Sequence, residues 1–112
     1  MRRKIPLQIM RTNADAMAER LKLLSHSERL LMLCRMAGDE VTVSELVELT
    51  GMSQSAVSQH LAKFRDRGLV AVRRDAQARY YTLVDEEVHK IIDALCDICV
   101  QSDGECRTGA AG

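Results

Sequence analysis

Two short helical patterns between residues 43 and 67 are separated only by Gly51, Met52 and Ser53. That spacing restricts the chain more than any other feature. "VSELVELT" carries Leu46, Val47 and Leu49 and stops at Gly51, a residue suited to the left-handed turn that closes a helix. Ser53 stands where an N-cap is needed, and Val57, Leu61 and Phe64 then follow at i, i+4 and i+7. Two helices joined by a tight glycine-containing turn make a helix-turn-helix, although an ordinary helical hairpin shares the pattern. The following segments narrow the choice. "LVAVRR" and "ARYYTLV" are β-prone runs separated by "DAQ", which predicts a two-stranded hairpin with Arg73, Arg74 and Arg79 near its tip.

Helical patterns flank this unit on both sides. From about Ala14, the residues Met17, Leu21 and Leu24 recur at helical spacing. "SHSERLLMLCRMAG" predicts a second helix, capped by Ser25 or Ser27, with Leu30, Leu31, Leu33 and Cys34 on its apolar side and Gly38 at its end. "VTV" before the helix-turn-helix is a short β-prone piece. From Asp85 a last helix carries Val88, Ile91, Ile92, Leu95, Ile98 and Cys99 in a stripe wide enough to bury against a partner. The acids at 85 to 87 suit its N-terminus. Phe64, Tyr80 and Tyr81 are the only aromatics, so the core must come from Leu, Val, Ile and Met, as packed helices allow. The expected fold is mainly α with a small β-hairpin: a winged helix-turn-helix with one extra helix at each end. Its expected limits are residues 14–101, with a flexible arm at 1–13 and a disordered small-residue tail at 102–112.

The net charge of zero conceals a division along the chain. Lys63, Arg65, Arg67, Arg73, Arg74 and Arg79 meet only Asp66 and Asp75 within residues 53–79, and residues 1–22 are also basic. Acids dominate from residue 85 onward. A neutral protein with its cations gathered in two segments can present a basic face to phosphate. No apolar run has the length of a membrane span, and the start lacks the apolar core of a signal peptide. A cytoplasmic protein with reduced cysteines, without a membrane partner, is therefore expected. No phosphate loop, carboxylate pair or nucleophile–base arrangement suggests an enzyme, and no cofactor is expected.

The helix at 53–67 carries the functional signal. With Val57, Leu61 and Phe64 inward, its outward N-terminal side is Gln54, Ser55, Ser58, Gln59 and His60. Short or bidentate polar groups at the start of a helix suit base edges in the major groove. A merely solvated helix would carry Glu and Lys there. Ser53 at the cap, Lys63, Arg65 and Arg67 toward the backbone and Arg73, Arg74 and Arg79 on the wing are placed for phosphates or an adjacent minor groove. Double-stranded DNA is the expected partner.

"LSHSERLLMLC", "VSELVELTGMSQSAVSQHLAKFRDRGLVAVRRDAQARYYTL" and "EEVHKIIDAL" resemble the ArsR/SmtB family of winged-helix repressors, over about residues 15–101. Within it, "SQSAVSQHLAKFRDRGLV" followed by "RRDAQARYYTL" is most similar to the HlyU/BigR/NolR branch. The resemblance implies a homodimer joined through the first and last helices and bound to a pseudo-palindromic operator. It also implies where family metal sites would lie. The zinc-type positions read Asp85, Glu87, Ile98 and Gln101, so two ligands are missing, and the arsenite-type cysteine pair is absent from "SELVELT". No zinc or nickel site is expected.

The thiols remain as candidate sensors. The resemblance implies a redox or persulfide switch between Cys34 and a last-helix cysteine, Cys99 or Cys96, with operator affinity lowered by modification. Two alternatives stay open. Cys96, Cys99 and Cys106 form a C-x2-C-x6-C set whose thiolates suit As(III). A repressor with no thiol switch, its cysteines simply core residues, is the other.

Overall fold

A computed structural model describes residues 6–103. The elements are α1 (Leu7–Leu24), α2 (Ser27–Gly38), α3 (Val43–Thr50), α4 (Gln54–Asp66), β1 (Val70–Asp75), β2 (Ala78–Leu83) and α5 (Glu86–Asp103). This is the helical fold with one hairpin expected from the sequence. Phe64, Met32, Leu33, Met36, Leu46, Leu61, Val41, Val57 and Val88 are its fully buried side chains. They come from α2, α3, α4, α5 and Val41, which lies two residues before α3 and bridges to Tyr81, so α4 is seated in the core.

The turn chemistry of the helix-turn-helix is as expected. Gly51 adopts φ 78° and its N–H donates to the Val47 carbonyl at 2.8 Å. The Ser53 hydroxyl accepts from the Ala56 N–H at 3.1 Å. At the other end of α4, Gly68 has φ 73°, and the N–H groups of Gly68 and Leu69 donate to the carbonyls of Arg65 and Phe64. That pairing satisfies two orphan carbonyls and turns buried Leu69 toward the core. The hairpin follows directly, with Arg73 opposite Tyr80 and Arg74 opposite Arg79. Its loop is only Ala76–Gln77, one residue shorter than "DAQ", because Asp75 pairs with Ala78.

Other local expectations are corrected. α1 begins at Leu7, so residues 7–13, assigned to a flexible arm, are helical. Thr12 and Asn13, poor helix formers, bond their side chains to the carbonyls of Gln8 and Ile9. The Pro6 carbonyl accepts from Ile9 and Met10. At the other end α5 runs to Asp103, and the remainder of both predicted tails lies outside the described residues. Neither serine caps α2: His26 holds the N-cap position without a side-chain bond, and the Ser25 hydroxyl donates back to Lys22 at 2.8 Å. The apolar side of α2 is Met32, Leu33 and Met36, while Leu31 and Cys34 are exposed. "VTV" contributes one bridge, Val41 to Tyr81, before Thr42 and Glu45 form a reciprocal capping box for α3.

Ion pairs tie α1 to the rest. Arg20 donates to Asp85 at 3.3 Å, and the same carboxylate oxygen caps α5 by accepting from the Val88 N–H at 2.9 Å. Arg67, at the end of α4, donates to Glu19 at 3.1 Å.

Candidate nucleic-acid interface and thiol cluster

Burial of Val57, Leu61 and Phe64 turns the opposite side of α4 outward, and Gln54, Ser55, Ser58 and Gln59 are all exposed there. Gln54 and Ser58 continue through Ala62 to Arg65 along one flank. With Thr42, Ser44, Gln77 and Arg79 they border a groove of about 540 Å³ between α4 and the hairpin. Among the described residues no acidic side chain lines it. Its surface is a row of neutral hydrogen-bonding groups between two guanidinium groups, a composition that accepts base edges and phosphate oxygens and repels nothing anionic. Arg65 was expected toward the DNA backbone rather than in line with the base-reading side chains, and Ser44, Thr42 and Gln77 were not among the expected site residues. The i, i+4, i+11 spacing of Gln54, Ser58 and Arg65 signals the first, and "TVSE", a capping box, signals the α3 terminus.

The remaining expected contacts separate. Arg74 and Arg79 face each other across the hairpin, both exposed, and among the described residues no carboxylate lies within 4 Å of either. Like charges directly opposite destabilise a strand pair. Arg73 is already engaged. It donates to Glu40 at 2.7 and 2.9 Å and lies 4.6 Å above the Tyr80 ring. The Arg73 hydrogen bond holds the Glu40 carboxyl below the usual range. Arg73 thus clamps the hairpin to the α2–α3 connection rather than standing free for phosphate.

His60 is half-buried, unlike its neighbours. Its ring lies 6.0 Å from that of His26 and 6.3 Å from that of Phe64, turned away from the groove. Burial, then the charges of Arg29, His26 and Lys63, pull its pKa below the ordinary value, and Glu28 opposes this weakly. Lys63 is exposed on the flank of α4 away from the hairpin, beside Glu19, Lys22, Arg29 and Arg67.

Cys34 stands on α2 and Cys96 and Cys99 on α5, and these two helices meet at the His89 Nε2 to Ala37 carbonyl contact of 3.2 Å. Cys34, Cys96 and Cys99 are all free and exposed. Surrounding protein pushes the Cys34 thiol up, and negative charge on Cys96 or Cys99 would push it further. The three are therefore electrostatic neighbours, but Cys34 is biased toward the protonated thiol, opposite to the depressed pKa that favours a fast-reacting thiolate. Among the described residues no three His, Cys, Asp or Glu side chains are placed to hold a metal ion. Cys106, the third member of the arsenite set, lies outside the described residues. No described helix is long and apolar enough to cross a membrane.

Comparison with known proteins agrees with this geometry. The family model described as "Bacterial regulatory protein, arsR family" matches residues 26–72, which span α2, the helix-turn-helix and the start of the hairpin. The HTH-type transcriptional regulator YgaV of Escherichia coli (strain K12) is 43% identical over 90 residues, covering 80% of this chain and 91% of that protein. The crystal structure of the transcriptional repressor BigR from Xylella fastidiosa superposes with a TM-score of 0.77 at 32% identity, covering 84% of this chain and 96% of that one. Reduced HlyU from Vibrio cholerae N16961 gives a TM-score of 0.75 at 40% identity, over 81% of this chain and 96% of that one. These relatives are regulators rather than enzymes, and they cover nearly all of the winged helix and its flanking helices. The chain belongs to the arsR family of bacterial regulatory proteins, as a winged helix-turn-helix transcriptional regulator of the HlyU/BigR/NolR type.

Proposed function

We propose that the chain is a cytoplasmic homodimeric repressor that binds a pseudo-palindromic operator and releases it when Cys34 and a last-helix cysteine are modified. The acid-free groove between α4 and the hairpin carries the DNA reading. Gln54, Ser55, Ser58 and Gln59 read base edges, and Ser53, Arg65, Arg74 and Arg79 hold phosphates. The exposed apolar side chains of α1 and α5, with Ile98 58% and Leu21 54% exposed, support pairing of two copies through these helices.

The thiol reading is supported by the exposure of Cys34 and its electrostatic coupling to Cys96 and Cys99. The Cys34 thiolate attacks the central sulfur of an organic trisulfide, and the leaving thiolate carries off the electron pair. Attack by the Cys99 or Cys96 thiolate on that same sulfur expels a second thiolate and leaves a three-sulfur bridge between the helices. Such a bridge lowers operator affinity only to the extent that it fits the unbound arrangement of the dimer better than the bound one. The raised Cys34 pKa makes the first attack faster at alkaline pH.

The test is affinity for the DNA upstream of its gene, measured on the reduced protein and after treatment with an organic polysulfide, with mass analysis of the product. Lost affinity with sulfur added at Cys34 and an α5 cysteine is the expected outcome. Cys34→Ser and Cys99→Ser should retain basal binding and lose the response. If both variants respond like the parent, the thiol assignment is wrong. An unresponsive parent leaves two family members' behaviours to separate, an arsenite response at Cys96, Cys99 and Cys106 or repression without a thiol switch.

A further inference from the structure

The side of α4 away from the hairpin carries its own cluster of cations. There the last turn of α1, the start of α2 and the second half of α4 enclose a small cleft of about 150 Å³ lined by Glu19, Lys22, Leu23, Arg29, Lys63 and Arg67. Four of these six side chains are cationic and one is acidic. Helix geometry fixes where the cleft lies relative to the groove. Ser58 and Lys63 are five residues apart, which places them about 140° apart around α4. Ser55 and Gln59 project between them. The reading helix therefore has a neutral front, a hairpin-side flank ending in Arg65, and a far flank of Lys63 and Arg67.

A major groove about 12 Å wide is only just wider than a helix with its side chains, so both flanks of an inserted helix meet phosphate walls. We propose that the cleft is a second phosphate clamp, in which Lys22, Arg29, Lys63 and Arg67 hold the duplex backbone on the side of α4 opposite the wing. The inference rests on the DNA reading above and adds a second wall to it.

The local structure suits the role. Arg29 donates to the carbonyls of Leu23 at 3.0 Å and Lys22 at 3.2 Å, so it caps α1 and its guanidinium is held in place before any ligand arrives. Glu19 accepts from Arg67 at 3.1 Å and lies 3.9 Å from Lys22, which keeps two cations gathered while leaving the cleft with excess positive charge. Burial first, then the charges of Arg29, His26 and Lys63, lower the pKa of neighbouring His60, in keeping with this excess of positive charge. Duplex phosphate is the occupant that matches this charge and continues the surface already formed by the groove.

The experiment measures how the binding constant of the full chain falls with salt, on a mixed-sequence duplex and on the DNA upstream of its gene. Lys22→Ala and Lys63→Ala remove exposed ammonium groups without touching the Arg29 cap. Each should weaken both duplexes by the same factor and reduce the slope of log K against log salt by about 1.8 for the dimer, one phosphate contact of about 0.9 lost in each protomer. Glu19→Gln, which removes the competing carboxylate, should tighten both duplexes. Unchanged slopes for both lysine variants, with a parent that binds in a salt-dependent way, overturn the clamp and leave the DNA reading standing. A parent chain with no salt-dependent binding overturns both.

Discussion

The reading head and the outer helices of this protein are stabilised in different ways. In α3, α4 and the hairpin, each turn is closed by a local device: the capping box at Thr42 and Glu45, the left-handed glycines at 51 and 68, the Ser53 cap. Most of their large apolar side chains, Leu46, Val57, Leu61, Phe64, Val70, Tyr81 and Leu83, are buried within the one chain, with Leu49 left exposed. α1 and α5 are long, yet Leu7, Ile9, Met10, Leu21 and Ile98 remain exposed. An unpartnered apolar surface of this kind marks a face meant for another molecule. The head thus buries most of its apolar surface within one chain, whereas the outer helices leave an apolar face open, the face assigned above to the proposed dimer.

Substitutions should separate these two regions. Phe64 is fully buried in the head, and Phe64→Ala should cost about 3–5 kcal/mol of unfolding free energy in a denaturant titration, by loss of transfer energy and by the cavity left. Ile98→Asp, on the exposed face of α5, should leave the fold of the head intact and shift sedimentation from dimer to monomer. If Ile98→Asp unfolds the chain as severely as Phe64→Ala, the outer helices are part of the monomer core and the contrast fails.

The glycine at the turn gives a smaller, local effect. Nothing lies within 4 Å of where a Cβ on Gly51 would sit, so Gly51→Ala tests backbone conformation alone. An L-residue at φ 78° costs about 1–2 kcal/mol, and that is the expected loss of stability. A neutral result would show that the turn relaxes to a negative φ without moving α4.

This same contrast governs how much was legible in the sequence. The head announced itself because its signals are short-range: Gly51, Ser53 and Gly68 act within one turn, and Val57, Leu61 and Phe64 repeat at the helical period. The limits of α1 were not visible because Thr12 and Asn13 lower helix propensity, and only their side-chain bonds to the preceding turn restore it. The buried side of α2 was misread for a different reason. In "RLLMLCRM" nearly every position is apolar, so periodicity cannot choose between Leu31 with Cys34 and Met32 with Met36. That choice is made by packing against α3 and α5. The expected site residues divide similarly. Gln54, Ser55, Ser58 and Gln59 follow from the buried stripe opposite them, but the engagement of Arg73 by Glu40 depends on a contact 33 residues apart in the chain.

Within the hairpin, that ion pair sharpens the comparison further. Arg74→Ala and Arg79→Ala should each lower the salt slope of DNA binding by about 1.8 for the dimer, about 0.9 per protomer, as expected for side chains free to meet phosphate. Arg73→Ala should leave the slope unchanged while loosening the hairpin against α2, seen as faster amide exchange at Val41 and Tyr81, whose backbones bond to each other. Equal slope losses for all three arginines would mean that Glu40 releases Arg73 when DNA arrives.

The smallest expected effect lies at the seam between α2 and α4. His60 has a folded pKa below its ordinary 6.5, through burial and the nearby charges of Arg29, His26 and Lys63. As pH falls, the unfolded chain therefore takes up this proton before the folded chain does. Stability rises with pH wherever the unfolded state binds more protons. The contribution of His60 is thus fully present above pH 6.5 and is lost as pH drops below that value toward the folded pKa. His60→Gln should flatten the stability profile across this window. An identical profile in the variant would show that the His26–His60 seam opens freely to water, and that the positive field around Lys63 and Arg29 is screened before it reaches the recognition helix.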